Sequence, residues 1–529
     1  MEGLKINATK FYNHLQHIYN IYGDPKENSS FSKIDALLFV RGKFLEGDKN
    51  CLQEKTSQLH EYILGYDFTE SLISFTPKEI IFFVASKKKM ILENIKRPDK
   101  IICPEVNVFL RNPSGDNEKT INTILENIIT DCNKDKVNIG MIKSERGIGT
   151  LVPEFEKCLN EKKSIQIIDT PDIVDEIFEI KDNEEIENIK TASKFASMVL
   201  QYTNQKFETI IDEEKRVRHE DLSNDIKKIV EKEGFQKKFT DKYKLSQIKL
   251  ESLEITTKPT IQSGGKYDLN PMAESDNNYL SSDIIICKAN TRYKDYNANI
   301  IRTFMIEANK IEQTRYKILQ ESFNKLISII KIGKKISDVY KEIKQEIISR
   351  DSELESHIPK TFGNGIGLEY SNSKLLITEN NDEIFQKGNT LNIILSLENL
   401  KKESSEKTYT LQIADTIVIK DDNEKENFTE DVSKELSDIY YNMEDLEDEN
   451  KIKNDNDDNN LNYDSNRIVT RHMGMKTDEK MLLLEKRKEH QKELLKRKNE
   501  EFRNKLINHS ADLRKEIEET KVNYSHVKS

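Results

Sequence analysis

The sequence predicts an α/β domain followed by an α+β domain. With 529 residues, the chain is long enough for two or three domains. Short apolar runs of strand length alternate with helical patterns up to about residue 178, where a longer helical periodicity begins. After about residue 420 the composition becomes acidic and poor in apolar residues. We therefore expect domains at 1–178 and 179–420, a disordered acidic linker at 421–476 and a charged helix at 477–529.

The overall composition limits the classes of function. The net charge of −11 argues against a generally nucleic-acid-binding surface and fits a basic partner. The five cysteines are scattered, without a CxxC pair, so we expect reduced thiols in the cytosol or nucleus. The N-terminus has no signal-peptide pattern, and no stretch approaches the roughly 20 apolar residues of a membrane helix. We expect no membrane partner.

Three apolar runs begin the first domain. Ala36–Val40 is continuously apolar, as a buried strand would be. Leu72–Phe75 and Ile80–Val84 flank a Thr76-Pro77-Lys78 turn and predict a hairpin. Further strands are expected at about 137–140 and 165–168.

A basic cluster follows the predicted hairpin directly. Its residues are Ser86, Lys87, Lys88 and Lys89. One interpretation is the solvated start of a helix, and the other is a contact with an anion or an acidic peptide.

The second domain is expected to open with a helix and to contain a glycine-rich loop. Asp182 is a plausible N-cap, and a run of apolar and small residues after it repeats at helical spacing. Further helices are expected at about 208–234 and 312–350. The run Thr361–Tyr370 has glycine at alternate positions, which allows close approach of backbone, and we expect a strand to begin at Leu368-Glu369.

The glycine-rich run, Gly363-Asn364-Gly365-Ile366-Gly367-Leu368-Glu369, resembles the G-H-G-[IV]-G-L-E signature of the pita-bread metallopeptidases. This resemblance implies a creatinase-like N-terminal α/β domain followed by a pita-bread, aminopeptidase-like domain. In that family two Asp, one His and two Glu hold two metal ions. With the register anchored by Arg302-Thr303-Phe304, the resemblance places other residues at those positions: Lys288, Asn299, Asn364, Ile394 and Ala414.

None of these five side chains is a good metal ligand at a two-metal centre. An ammonium group at Lys288 would repel cations, and Ile394 and Ala414 are apolar. We therefore expect no metal cofactor and no catalysis of the family's type. The alternative is a divergent metallo-aminopeptidase of the pita-bread family.

Other motifs resemble the large-subunit family of the FACT histone chaperone complex. They are Phe83–Lys89, Gly264–Leu269, Glu406–Tyr409 and Lys486–Leu494. The resemblance implies a non-catalytic subunit in the nucleus, on chromosomes, that binds core histones and reorganises nucleosomes during transcription elongation, DNA replication and repair. Implied partners are core histones and nucleosomes, the small FACT subunit and the replication or transcription machinery. A structural scaffold without histone contact is a further alternative.

That family continues into a dimerisation domain, a histone-binding middle domain and an acidic tail. This chain stops at Ser529, in the expected connecting helix, so it is either a fragment or a truncated variant. If it is complete, heterodimerisation with the small subunit is in doubt. The helix carries a thin apolar stripe of coiled-coil type and two basic clusters, Lys486–Lys488 and Lys496–Lys498, which fit nuclear import or a solvated surface.

Two tyrosines and a methionine lie within the acidic run that follows the second domain. Tyr440, Tyr441 and Met443 could anchor the segment in shallow apolar pockets of a histone dimer while its carboxylates meet basic side chains. The other interpretation is a solubilising linker that happens to contain these residues.

Overall fold

The computed structural model describes residues 5–441, except 28, 44–53, 146, 214, 246–247, 404–405 and 422–423. Within these residues, the chain up to Thr209 and from Arg216 to Tyr441 forms one compact unit. The predictions for residues 442–476 and for the helix at 477–529 lie outside the described residues. None of the described helices is both long and apolar enough to cross a membrane.

The first domain is built on a six-stranded sheet. Its strands are β1 (Ala36–Arg41), β2 (Ser71–Phe75), β3 (Glu79–Ala85), β4 (Glu105–Arg111), β5 (Val137–Met141) and β6 (Ile165–Asp169). The spatial order is β4-β3-β2-β1-β5-β6, and only β2 runs antiparallel to its neighbours. These bounds confirm the predicted strands and hairpin. The apolar runs predicted them correctly because the central strands are buried on both faces of the sheet.

Helices of the first domain cover this sheet. They are α1 (Ala8–Gly23), α2 (Lys55–Leu64), α3 (Ser86–Glu93), α4 (Glu118–Cys132), α5 (Leu151–Asn160) and α6 (Ile173–Ile177). One apolar cluster joins α1 and α2 to one face of the sheet, and a second joins α4 and α5 to the other. The domain is therefore a three-layer α/β structure.

The second domain has a mainly antiparallel sheet. Its strands are β7 (Leu253–Ile255), β8 (Thr260–Gln262), β9 (Ile284–Tyr293), β10 (Tyr296–Ile306), β11 (Gly363–Gly365), β12 (Thr390–Lys401), β13 (Thr408–Ile419), β14 (Lys425–Asn427) and β15 (Tyr440–Tyr441). The main order is β11-β12-β13-β10-β9-β7, with β14 beside β13, β8 beside β9, and β15 parallel to β10.

The second domain also contains a set of helices. They are α7 (Asn183–Asp212), α8 (His219–Val230), α9 (Glu233–Tyr243), α10 (Lys310–Ile329), α11 (Ile336–Arg350) and α12 (Leu436–Ile439). Asp182 caps α7 as predicted, in a reciprocal pair with Glu185. The expected helix at 208–234 is instead the end of α7 plus α8, and the one at 312–350 is two helices separated at Gly333, whose φ is +81°.

The prediction of a disordered linker from residue 421 is wrong for residues 424–441. Phe428, Val432 and Ile439 are buried in the second domain. Arg302, fully buried on β10, donates hydrogen bonds to the carbonyls of Thr429, Val432 and Ser433 and to the carboxylate of Asp415 at 2.6 Å. The charge-assisted hydrogen bonds of this guanidinium hold the segment against the second domain. The acidic composition of the segment gives no sign of these contacts.

The glycine-rich run also differs from its prediction. The short strand is Gly363–Gly365 itself, paired with β12, whereas Leu368-Glu369 forms a bend. A Cβ atom on Gly363, whose φ is +124°, would lie 2.1 Å from the carbonyl oxygen of Asn392, and one on Gly367 would lie 2.3 Å from Cε of Lys181. Close packing against backbone therefore requires glycine at 363, as the alternate spacing indicated, whereas a side chain at 367 would have to displace the end of the Lys181 side chain.

Glu369 turns from this bend toward the boundary between the two domains. Its carboxylate binds the buried ammonium of Lys181 at 2.9 Å and accepts from the Asn372 amide at 3.0 Å. The same amide donates to the carbonyl of Asp175 on α6 at 2.9 Å. Lys374 contacts Glu176 on α6 at 3.1 Å. The residues that follow the glycine-rich loop thus join the second domain to the first, through the hydrogen bond from Asn372 to Asp175 and the ion pair of Lys374 with Glu176.

Candidate functional site

The five positions predicted from the metallopeptidase register lie on one face of the second sheet. Lys288 on β9 is opposite Ile301 on β10, Ile301 is opposite Ala414 on β13, and Ala414 is opposite Ile394 on β12. The adjacent row on the same face contains Asn299 on β10 and Asn364 on β11, which is opposite Asn392. Because residues two apart on a strand share a face, the two rows form one surface.

Lys288 puts a positive charge on this surface. Its Nζ donates to the carbonyl oxygens of Pro271 at 2.8 Å and Asn270 at 3.1 Å. The residue is 7% exposed, and burial lowers the pKa of its ammonium group to about 8 despite the attraction of Asp268. At neutral pH the group is therefore mostly charged.

Asparagines surround the rest of the surface. Asn299 Nδ2 donates to Asn392 Oδ1 at 2.9 Å, and Asn364 Nδ2 donates to the carbonyls of Gly365 at 2.7 Å and Tyr370 at 2.9 Å. Asn290 accepts a hydrogen bond of 3.0 Å from the Tyr370 hydroxyl. Sequence reasoning missed Asn290 and Asn392, although each lies two residues from a position that it identified.

A small cavity of about 30 Å³ lies over this surface. Its polar lining includes Lys288, Asn299, Tyr370 and Gln412, and its apolar lining includes Ile286, Ile301 and Ile394. Asn299 Oδ1 has no hydrogen-bond partner among the described residues. Since one water needs about 10–15 Å³ by this measure, the cavity has room for about two or three water molecules.

The residues present do not fit the two metal ions of the metallopeptidase family. One ammonium group, two aliphatic side chains and two neutral amides replace the carboxylates and imidazole that a hard or borderline divalent cation requires. Among the described residues, the one group of three or more His, Cys, Asp and Glu side chains with converging ligand atoms lies elsewhere. No catalytic step through metal ions follows from this surface.

A Ser–His–Asp chain of hydrogen bonds lies beside the sheet, at the start of α8. His219 is 2.7 Å from Ser263 Oγ through Nε2 and 2.6 Å from Asp276 through Nδ1. The arrangement resembles a nucleophile with its base. However, His219 is fully buried, Ser263 is 3% exposed, and Ser263 Oγ also accepts the amide proton of Ser281 at 2.9 Å. A substrate cannot reach this serine. The role of the three hydrogen-bonded side chains is therefore to hold three segments of the domain together.

The basic cluster forms the first turn of α3, and its members differ in their contacts. Ser86 and Lys87 are exposed. Lys88 donates to the carbonyl of Thr69 and lies 5.1 Å above the Phe68 ring, and burial lowers the pKa of its ammonium group to about 8. Lys89 donates to the carbonyl of Val108 on β4. Lys88 and Lys89 therefore hold the domain together, and Ser86 and Lys87 face outward.

Tyr440 and Tyr441 lie in the folded domain rather than in a free acidic segment. They form β15, opposite Met305 and Ile306 at the end of β10. The Tyr441 hydroxyl donates to the Glu208 carboxylate on α7 and accepts from Asn204 at 3.4 Å. Burial and the adjacent carboxylate raise the pKa of the Tyr441 hydroxyl. Met443 lies outside the described residues.

Two family models match the chain. Residues 6–172 match the FACT complex subunit SPT16 N-terminal lobe domain, and residues 187–421 match metallopeptidase family M24. The FACT complex subunit SPT16 of Yarrowia lipolytica is 32% identical over 426 residues, which cover 78% of this chain and 40% of that protein. The chain thus spans about two fifths of the length of this curated relative.

Solved structures agree with these matches. The N-terminal domain of FACT complex subunit SPT16 from chickpea superposes with a TM-score of 0.72 at 29% identity, covering 83% of this chain and all of that one. The X-Pro aminopeptidase of Thermotoga maritima superposes with a TM-score of 0.53 at 17% identity over 77% of this chain and 97% of its own, which shows the shared fold alone. The chain therefore belongs to the family of FACT complex SPT16 subunits, and it corresponds to their N-terminal region.

Proposed function

We propose that this chain is a non-catalytic, histone-binding region of a FACT-type histone chaperone. The observation that supports the absence of catalysis is the surface on β9–β13. There, Lys288, Ile394 and Ala414 lie at positions that hold metal ligands in the metallopeptidase family. The membership in the SPT16 family supports the chaperone role. The fold then serves as a binding module, with its former catalytic face reduced to a small cavity.

The proposed partners are core histones and nucleosomes, during transcription elongation, DNA replication and repair. The small FACT subunit and the replication or transcription machinery are further partners, through regions mostly beyond this chain. The proposed location is the nucleus, on chromosomes. The net charge of −11 suits the basic surfaces of histones.

The histone-contacting residues proposed from the sequence can be ranked by their surroundings. Ser86 and Lys87 are exposed and suit contact with a carboxylate-rich patch of a partner. Lys88, Lys89, Tyr440 and Tyr441 have contacts within the fold, so we assign them a weaker role. Met443 stays a prediction.

Retention of the full chain by immobilised core histones at physiological salt tests the proposal. We expect retention that falls as salt rises, because charge complementarity supplies much of the attraction. No retention of the folded chain by core-histone dimers, core-histone tetramers or nucleosomes would favour the scaffold alternative.

An X-Pro peptide hydrolysis assay with added Mn²⁺ or Co²⁺ separately tests the aminopeptidase alternative. We expect no turnover above that of the buffer. Hydrolysis that is lost when Asn299 and Asn392 are replaced by Ala would contradict the non-catalytic assignment, because these residues line the surface where the metals would have to bind.

A further inference from the structure

Three side chains converge where α1 of the first domain meets the start of α7. His14 is buried on α1, Glu185 is buried in the first turn of α7, and Asp182 precedes that helix with a half-exposed side chain. One potential ligand atom from each residue lies within 4.8 Å of those from the other two. The group is distinct from the surface on β9–β13.

The hydrogen bonds around His14 fix which nitrogen carries its proton. His14 Nδ1 is 2.5 Å from the carbonyl oxygen of Tyr62, and the ring stacks on the Tyr62 ring at 3.7 Å. A carbonyl oxygen only accepts, so Nδ1 must donate. In the neutral ring, the Nε2 lone pair then faces Asp182 Oδ2, another acceptor, at 3.3 Å. Two acceptors at this distance need a cation, either a proton or a metal ion, between them.

Each of the two carboxylates uses one oxygen for the reciprocal cap of α7. Asp182 uses Oδ1 to accept from the Glu185 amide at 2.9 Å, and Glu185 uses Oε2 to accept from the Asp182 amide at 2.8 Å. This leaves Asp182 Oδ2 and Glu185 Oε1, the latter accepting a 3.2 Å hydrogen bond from the Tyr296 hydroxyl. Histidine ligands of metals characteristically donate their second nitrogen to a carbonyl, as His14 does.

We propose that His14 Nε2, Asp182 and Glu185 bind one divalent ion of the zinc type. Imidazole and carboxylate groups are both zinc ligands, and three protein ligands are the number found in zinc sites that keep a fourth position open to water. The exposed side of Asp182 gives access to this position. The N-terminus of α7 carries a partial positive charge of about one half, which repels a cation. The two negative charges of the carboxylates outweigh this repulsion. Two ammonium groups lie near the three residues, and each is paired with another carboxylate: Lys10 with Glu184 at 3.4 Å and Lys181 with Glu369 at 2.9 Å. Since the ligands come from both domains, the ion would fasten α1 to α7.

Isothermal titration of the chelator-treated full chain with ZnCl₂ tests the site, with Co²⁺ absorption as a second readout. We expect one ion per chain with micromolar affinity, and visible Co²⁺ bands typical of low coordination number. His14→Ala should weaken binding at least tenfold. Asp182→Asn should do so as well while keeping the helix cap, because Asn caps as well as Asp.

His17→Ala is the matched control, since His17 lies one turn further along α1 and also reaches across to a carbonyl, that of Ile177, at 3.0 Å. It should bind zinc like the parent. The proposal is overturned if the folded parent binds no zinc, or if Asp182→Asn and His14→Ala bind as tightly as His17→Ala. In either case a protonated His14 paired with Asp182 accounts for the geometry.

Discussion

Replacing Lys288 by Met should stabilise the protein at neutral pH and remove part of its pH dependence. Burial lowers the pKa of the Lys288 ammonium group from 10.5 to about 8. Each unit corresponds to about 1.4 kcal/mol, so keeping this group charged in the folded state costs about 3 kcal/mol below pH 8. Methionine avoids that cost but loses two hydrogen bonds to carbonyls, each worth about 1 kcal/mol. The expected net gain at pH 7 is about 1 kcal/mol.

The sign of the pH dependence follows from the lowered pKa. Between pH 8 and 10.5 the unfolded chain holds the Lys288 proton and the folded chain does not, so folding stability rises with pH in this window. Urea unfolding at pH 7 and pH 9.5 should show the parent gaining about 2 kcal/mol more than Lys288→Met does. Lys401→Met removes the same charge at an exposed position and should behave like the parent. Equal pH dependence in the parent and Lys288→Met would refute the reasoning.

Three further changes probe the fold and the binding surface. Arg302→Met should lower the free energy of unfolding by about 3–5 kcal/mol, because it removes a buried positive charge that neutralises Asp415. Urea unfolding measures this loss, and a value below about 1 kcal/mol would contradict the anchoring role. Gly363→Ala should lower the thermal midpoint by several degrees, whereas Gly234→Ala, with no atom within 4 Å of the new Cβ, should not. Lys87→Ala should weaken histone retention at least twofold without changing the thermal midpoint; unchanged retention would leave this residue as solvated surface.

Sequence patterns predicted several elements correctly because these elements are determined by residues that are close together in the chain. The strands β1, β2 and β3 are continuous apolar runs, and the Thr76-Pro77-Lys78 turn between β2 and β3 follows from proline chemistry. The cap of α7 likewise depends on two residues three positions apart, Asp182 and Glu185. In each case, residues close in sequence make the deciding contacts.

The folded segment 424–441 could not be predicted in this way. Its buried residues, such as Phe428 and Ile439, are widely spaced in an acidic run, so no periodicity marks them. The group that holds the segment, Arg302, lies 130 positions from one of its acceptors, Val432. A composition-based argument for disorder counts the apolar surface within a segment and misses such a distant anchor.

The candidate site was partly predictable, since family spacing places Lys288, Asn299, Asn364, Ile394 and Ala414 on one face. Spacing alone did not identify Asn392, because its role depends on the strand opposite. It also could not show that Lys88 and Lys89 bind backbone carbonyls, since these acceptors belong to other parts of the chain.

The glycine-rich loop and the five positions on the neighbouring sheet differ in how strongly packing constrains their residues. A ligand side chain on β9 or β13 can be exchanged in one step, because the sheet beneath it pairs through its backbone. Gly363 has no such freedom, since an added methyl group would collide with the backbone of Asn392. Selection for folding alone is then enough to preserve this glycine. A match to the glycine-rich signature therefore indicates a shared fold and does not by itself indicate metal-dependent hydrolysis.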